Sequence, residues 1–141
     1  MLIAIKNDYQ SIECKELQTN CENVWVELTL FNSRKLIIGS FYRPRPDDNT
    51  SLGHLNESLS RLNQNSKSVL LIGGDFNLGN IDWDSSSTIP GKSNIKQHQE
   101  LLDIIADHAL TQLVNMPTRK DKTLDLLLTN YPSIVNNIKI I

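Results

Sequence analysis

The sequence has few cysteines, no excess of basic residues and no long apolar run. Cys14 and Cys21 are the only cysteines, which is too few for a disulfide scaffold or a zinc set and favours free thiols in a reducing compartment. The net charge of −2 excludes a domain-wide basic surface, so any DNA binding depends on local Lys and Arg placement or on regions outside this chain. No stretch approaches the ~20 apolar residues that cross a bilayer, and no secretory signal opens the chain. We therefore expect an intracellular protein, nuclear or cytoplasmic, without a membrane partner.

Length and composition fit one soluble domain. The 141 residues are 39% apolar and 21% charged, as in ordinary globular proteins, and no internal repeat or second-domain boundary is apparent. Residues 1–141 are therefore assigned to a single domain.

The remaining elements are organised around the stretch from Val69 to Asn77. Four apolar residues run into a glycine pair, which predicts a buried strand that ends in a turn. If the chain stays extended, Asp75 and Asn77 project to the same face, where a carboxylate and a carboxamide suit polarising a water near a phosphodiester. The alternative is an Asx-type turn that closes the strand, and spacing alone does not decide between them.

A hairpin is predicted upstream of this strand. Residues 24–30 alternate, with Val24, Val26, Leu28 and Leu30 on one face, which is the period of a half-buried strand. Turn residues 31–34 lead into a partner strand over residues 35–42. Strand-like residues 2–5 and a short strand within residues 11–17 are expected before it.

Two helices and a last strand complete the predicted order. Thr50 or Ser51 caps a helix over about residues 52–62, and Ser93 or Asn94 begins a second one. Residues 123–129 form a strand in which Asp125 interrupts apolar residues. Because an unpaired carboxylate inside an apolar strand is costly, Asp125 is a functional candidate. Hairpin, helix and buried strand in this order indicate an α/β protein.

Basic residues cluster where strands end. Tyr42, Arg43 and Arg45 follow the second hairpin strand, where prolines exclude further ladder bonding. They form either a solvated loop or a phosphate-binding lip, since Arg forks match phosphate oxygens. Arg119 and Lys120 lie in a second basic loop ahead of the last strand.

The polar segment after Asn77 is longer than a minimal connection. Asp82 and Asp84 flank Trp83 there. They allow a metal site, although a solvated loop is the favoured interpretation, and Trp83 is expected to anchor the loop rather than to stack on a base.

Several motifs together resemble a known group. The chain is similar to the endonuclease/exonuclease/phosphatase superfamily, and more narrowly to the endonuclease domain of non-LTR (LINE-like) retrotransposon polyproteins. The resemblance implies a four-layer α/β sandwich, with two packed mixed β-sheets and outer helices. It rests on Phe41-Tyr42-Arg43-Pro44, Gly74-Asp75-Phe76-Asn77, Asn80-Ile81-Asp82-Trp83, Pro117-Thr118-Arg119 and Thr123-Leu124-Asp125-Leu126-Leu127-Leu128.

The resemblance also implies roles for individual residues in phosphodiester hydrolysis. Asp75 would activate or orient the attacking water and contribute to binding Mg²⁺ (or Mn²⁺). Asn77 would help to hold water and phosphate, Tyr42 would contact the scissile phosphate, and Asp125 would orient a catalytic histidine. The DNA backbone would be contacted without sequence readout by Arg43, Arg119 and Lys120. A reverse transcriptase domain in the same polyprotein is the implied partner besides DNA.

Two parts of the superfamily pattern are missing from these residues. The superfamily places an Asn and a metal-binding Glu before this chain begins, and a Ser-Asp-His motif after it stops. Ala106-Asp107-His108 does not replace that motif, because it precedes Asp125 and follows a helical period. We therefore expect a domain truncated at both termini, with little or no nicking activity. A non-catalytic remnant that binds nucleic acid or protein, or another superfamily phosphoesterase, such as an abasic-site nuclease, remains an alternative.

Overall fold

The computed structural model describes residues 1–30, 33–63, 67–136 and 138, which form a mixed α/β fold. The strands are β1 (Ser11–Glu13), β2 (Glu22–Thr29), β3 (Lys35–Tyr42), β4 (Val69–Asp75), β5 (Ile81–Asp82), β6 (Ser87–Thr88), β7 (Thr111–Gln112) and β8 (Asp125–Thr129), and the helices are α1 (Ser51–Asn63) and α2 (Ile95–Asp107). Short 3₁₀ turns cover Lys15–Leu17 and Pro132–Ile134. The predicted α/β class is confirmed.

Six strands form one mixed sheet in the order β1-β2-β3-β4-β8-β7, and β5 pairs with β6 in a separate small sheet. The predicted hairpin is confirmed, because β2 and β3 are antiparallel with Trp25 opposite Gly39. Strand β4 lies parallel to β3, and α1 lies on the crossover between them. The antiparallel partner of β4 on its other side is β8.

Both helices pack on one face of the large sheet. One core contains the leucine stripe of α1, the apolar side of α2 and alternate residues of the central strands. Only alternate strand residues take part because strand side chains alternate between the two faces of the sheet. Members of this core include Trp25, Ile37, Phe41, Leu55, Leu70, Ile72, Leu101 and Leu128. A smaller cluster lies on the other face, around Leu28, Leu36 and Val69, with Ile38 and Leu71 only partly buried against it.

Two close contacts require glycine in the central strands. A Cβ on Gly39 would lie 2.5 Å from the Trp25 ring, so the indole occupies the space that a side chain would fill. A Cβ on Gly74 would lie 1.7 Å from the Phe41 carbonyl oxygen. Because that obstacle is main chain, the pairing of β3 and β4 depends on glycine at this position.

Several local predictions are corrected. Residues 2–5 form no strand, and the expected strand over residues 11–17 is β1 followed by a 3₁₀ turn. At the start of α1 the capping side chain is that of Asp48, whose Oδ1 accepts from the Thr50 and Ser51 amides. Part of the predicted hairpin turn, Phe31 and Asn32, lies outside the described residues.

The segment after Asn77 is more ordered than a plain loop. It contains the β5–β6 hairpin, and the Oδ1 atom of Asp82 accepts from the amides of Asp84 and Ser85. The solvated-turn interpretation of this acidic pair is therefore confirmed. Trp83 packs against the main core, as expected for a loop anchor. Neither helix in the described ranges is long and apolar enough to span a bilayer.

Candidate active site

Three of the predicted site residues form a row across the ends of adjacent strands. Tyr42 of β3 pairs with Asp75 of β4, and Asp75 pairs with Asp125 of β8. Paired residues on neighbouring strands direct their side chains to the same face, about 5 Å apart. By strand alternation this face is the one opposite the helices. We call Tyr42, Asp75 and Asp125 the strand-end row.

The strand-end row is accessible to solvent. Tyr42 is 39% exposed, the Asp75 side chain is 17% exposed, and Asp125 is exposed. A phenol and two carboxylates therefore line an open face, where a large substrate can approach them.

The carboxylate of Asp75 makes two contacts. Its Oδ1 atom accepts from the Asn77 amide at 2.9 Å, and its Oδ2 atom accepts from Arg119 Nη2 at 3.2 Å. The first bond is the Asx-type turn that the sequence left as an alternative, so this turn is present. The second bond holds a guanidinium directly beside the strand-end row.

Contrary to the sequence prediction, the side chain of Asn77 does not project to the same face as Asp75 by strand alternation. Strand β4 ends at Asp75, and Asn77 has a φ of 54°, so the chain is no longer extended there. Its Nδ2 atom donates to the Arg43 carbonyl at 3.4 Å. Asn77 is therefore adjacent to Asp75 through its backbone, while its side chain is directed to the loop that follows β3.

A compact turn places Arg119 against Asp75. The amides of Thr118 and Arg119 donate to the Lys122 carbonyl, and the Lys122 amide donates back to Arg119. The Thr118 hydroxyl accepts from the amides of Leu124 and Asp125, which ties the turn to the start of β8. Lys120, with a φ of 55°, is exposed at its tip. Sequence reasoning missed Thr118, although its place in the Pro117-Thr118-Arg119 motif was visible.

Arg43 is not part of an exposed phosphate lip. The residue is 0% exposed, and its guanidinium donates to the carbonyls of Asn77, Pro46 and Asp48. Burial lowers the pKa of Arg43, an effect that the charges of Asp48, Asp47 and Glu100 oppose. The predicted contact between Arg43 and a DNA backbone is therefore wrong, because the side chain cannot reach a ligand on the surface.

Asp125 is also placed differently from the prediction. It is the first residue of β8 and is exposed, so no desolvation cost calls for a partner. No bond to a histidine is present among the described residues. His108 is the C-cap residue that follows α2 and pairs through Nε2 with Asn56 of α1, in the helix layer on the opposite face of the sheet. The expectation that His108 is a helix residue is therefore not met, because the residue follows the last turn of α2 as its C-cap.

His98 is a buried histidine that the sequence did not single out. Its Nε2 atom accepts from the Asn80 amide at 3.1 Å, so Nδ1 carries the proton and donates to the Asn94 carbonyl at 2.7 Å. Burial lowers the pKa of His98, and the neutral ring joins α2 to the loop that follows Asn77. No spacing pattern in the sequence distinguishes this residue from a surface histidine.

These residues do not by themselves form a magnesium site. Within the ranges that the structure describes, no three His, Cys, Asp or Glu side chains are grouped to hold a metal. Mg²⁺ requires a near-octahedral set of oxygens, and both oxygens of Asp75 already accept hydrogen bonds.

The fold and motifs agree with comparisons to known proteins. A family model described as endonuclease-reverse transcriptase matches residues 36–140. A solved structure of the human nocturnin catalytic domain with bound sulfate is 15% identical, with a TM-score of 0.51, covering 86% of this chain and 47% of that chain. An endonuclease/exonuclease/phosphatase family protein from Leptotrichia buccalis is 17% identical, with a TM-score of 0.49, covering 77% and 41%.

This chain thus spans less than half the length of either of these two solved structures. No curated protein matches it. The family model covers most of the chain and includes all of the strand-end row, and the fold is similar to that of the nocturnin domain. The chain belongs to the endonuclease-reverse transcriptase family, within the endonuclease/exonuclease/phosphatase superfamily.

Proposed function

We propose that this chain supplies the water-orienting and phosphate-binding residues of a site that hydrolyses DNA phosphodiesters in a retroelement endonuclease. The observation that carries the proposal is the strand-end row with Arg119 held beside it. A phenol, two carboxylates and a guanidinium from separate elements meet on one open face. Such a set can bind an anionic ester and direct a water toward it.

Each residue has a role that suits its position. The Asp75 carboxylate accepts a proton of the attacking water, whose oxygen forms the new bond to phosphorus while the ester P–O bond breaks. The departing sugar oxygen takes up a proton from solvent and leaves as a hydroxyl group. The Tyr42 hydroxyl donates a hydrogen bond to a phosphate oxygen. The Arg119 fork exchanges its carboxylate partner for phosphate oxygens, which it matches in shape, and Lys120 adds a nearby cation that positions the backbone.

We propose Mg²⁺, with Mn²⁺ as a substitute, as the cofactor, but only one residue of this chain is assigned to bind it. Asp75 is the one described residue to which we assign a metal contact, and a complete site needs ligands that the described residues do not supply. We therefore assign no step of the reaction to the ion. A reverse transcriptase domain in the same protein is proposed as a partner, and the nucleus or cytoplasm as the location.

A second candidate is DNA binding without hydrolysis. Two observations favour it. Both Asp75 oxygens already accept hydrogen bonds, one from Asn77 and one from Arg119, and the described residues do not provide a complete ligand set for a metal. In this case the same face binds the phosphate backbone but no water is activated there.

DNA binding at the strand-end row tests the part common to both candidates. A short duplex is titrated into ¹⁵N-labelled protein, and backbone amide shifts are followed by NMR. We expect the largest shifts at Tyr42, Asp75, Arg119 and Asp125, weakening as salt is added, since phosphate contacts release counterions. Shifts confined to the helix layer, or no binding at low salt, would remove both candidates.

Nicking of supercoiled plasmid in the presence of Mg²⁺ separates the two candidates. Because the metal ligands are incomplete, we expect weak or no nicking from this chain alone. Nicking that Asp75→Ala abolishes, while the matched surface change Asp103→Ala on α2 retains it, would place hydrolysis in the chain itself. Tight DNA binding without nicking, even after the missing ligands are supplied by a longer protein, would favour the binding module.

A further inference from the structure

We propose that Arg43 is a positioning residue, whose buried guanidinium holds the turn that orients Asp75. The proposal deepens the proposed function and rests on it for the role of Asp75. Its physical basis is a clamp between the loops that follow β3 and β4, and this clamp is independent of any activity.

The guanidinium of Arg43 joins two separate loops. One arm donates to the Asn77 carbonyl at 3.3 Å, and the other donates to the Pro46 carbonyl at 2.8 Å and also to the Asp48 carbonyl. No ion pair of Arg43 is present in the described part of the chain. Main-chain oxygens make the direct contacts with the guanidinium, while the carboxylates of Asp48, Asp47 and Glu100 act on its charge without an ion pair. These contacts fix the position of the peptide units that supply the oxygens.

The contact between Arg43 and Asn77 is reciprocal. The Asn77 carboxamide donates to the Arg43 carbonyl at 3.4 Å, and the Arg43 amide donates to the Asp75 carbonyl at 2.9 Å. Asn77 in turn donates its amide to the Asp75 carboxylate. Arg43 therefore acts on Asp75 through Asn77, and it never needs to touch the substrate.

The neighbouring residue Tyr42 is placed by the same clamp. Successive residues at the end of β3 direct their side chains to opposite sides. Arg43 is fully buried on one side, whereas Tyr42 is exposed on the other. Anchoring the first side chain limits rotation of the strand end and so limits movement of the second.

Lysine cannot reproduce this arrangement. A guanidinium is a planar fork whose separate nitrogens reach carbonyls in different directions, whereas an ammonium is a single point on a flexible stem. Among the described residues, the Nε atom of Arg43 is buried without a partner, which is a cost that a single-headed side chain would not carry. The arrangement thus requires arginine for its shape as much as for its charge.

The substitution Arg43→Lys tests the proposal through hydrogen exchange of the Asn77 amide. We expect that amide to exchange about tenfold faster than in the wild-type chain, since the turn loses its anchor, while amides in the middle of β2 and β3 keep their rates. The matched control is Arg61→Lys. Arg61, which lies on α1, also donates to two main-chain carbonyls, those of Glu16 and Gln18. Because these bonds lie away from the Asn77 turn, Arg61→Lys should leave the exchange rate of the Asn77 amide unchanged.

Two results in this experiment would overturn the proposal. One is an unchanged Asn77 exchange rate in Arg43→Lys. The other is a uniform acceleration of all amides, which would make Arg43 a stabilising residue without a local role. If the variant does not fold, the wild-type chain can still be used to test the clamp. We expect NMR to detect scalar couplings across the hydrogen bonds from the Arg43 guanidinium to the Asn77 and Pro46 carbonyls. Their absence would contradict the clamp.

DNA affinity separates a positioning role from a phosphate contact. We expect Arg43→Gln, which removes the charge, to retain the wild-type dependence of DNA affinity on salt, since a buried side chain neutralises no phosphate. A decrease of about 1 in the slope of log K against log salt would instead show a phosphate contact and overturn the proposal. Failure of the wild-type chain to bind DNA would count against the proposed function, whereas the exchange result would still test the clamp.

Discussion

The two faces of the large sheet differ in cover and in chemistry, although the same strands form both. On the helix-covered face, alternate residues such as Ile37 and Ile72 are fully buried. On the other face, Ile38 and Leu71 are only partly buried, and the strand-end row lies on that side. The comparison shows how one strand can serve stability with one set of residues and present functional groups with the other.

Neighbouring residues of β4 provide the sharpest comparison of the two faces. We expect Ile72→Ala to lower the free energy of unfolding by about 3 kcal/mol, because it leaves a cavity in a fully buried core. Leu71→Ala should cost about 1 kcal/mol, since its side chain already contacts solvent in part. Urea unfolding of the two variants measures both values. Equal costs would mean that the open face is covered as tightly as the helix face.

A smaller effect on the helix side depends on pH. Burial lowers the pKa of His98 in the folded chain below the ordinary value of 6.5. Just below that value the unfolded chain therefore binds more protons than the folded one, so stability falls as pH decreases through 6.5 toward the folded pKa. Protonated Nε2 also cannot accept from the Asn80 amide.

Urea unfolding at about pH 7.5 and about pH 5.5 measures this dependence. The loss of stability between the two should be smaller in His98→Gln than in the wild-type chain. His54→Gln, a change at a less buried histidine of α1, serves as the control and should retain the wild-type loss. An identical pH dependence in His98→Gln would contradict the burial argument.

The smallest effect on stability is expected at the site itself. Arg119→Ala should change the free energy of unfolding by less than about 0.5 kcal/mol, because the pair with Asp75 is solvent-exposed on the arginine side. The same change should reduce the slope of log K for DNA against log salt by about 1. Fluorescence anisotropy of a labelled duplex measures the slope, with Lys96→Ala on α2 as the control. A large loss of stability with unchanged DNA binding would reverse the assignment of the two faces.

Much of the fold was predictable because local patterns are strong in the central strands. The apolar run ending in Gly73 and Gly74 predicted β4, and strand alternation with a turn predicted the β2–β3 hairpin. The faces were harder to assign. The alternation of Val26 and Leu28 predicted that their face of β2 would form the core. In the structure Trp25, on the opposite face, enters the helix-covered core instead. Which face becomes the main core depends on where the helices pack.

The candidate site was predictable in its residue types but less so in its contacts. The row of Tyr42, Asp75 and Asp125 follows from motifs at strand ends, while their functional roles stay predictions. The environments of Arg43 and Asp125 were interpreted wrongly, one being buried and the other exposed. Both errors have one cause: the local sequence gives charge and period, but solvent exposure depends on how the strands and the loops after them pack in three dimensions.

The close approach of the Phe41 carbonyl to Gly74 affects how a mutational scan of this segment would be interpreted. A side chain at Gly73 meets only ordinary contact with Leu127, at 3.6 Å, whereas one at Gly74 meets main chain at 1.7 Å. Loss of function at Gly74 would thus report separation of two strands rather than removal of a reacting group. The two adjacent glycines give a built-in way to distinguish a misfolded protein from an inactivated one.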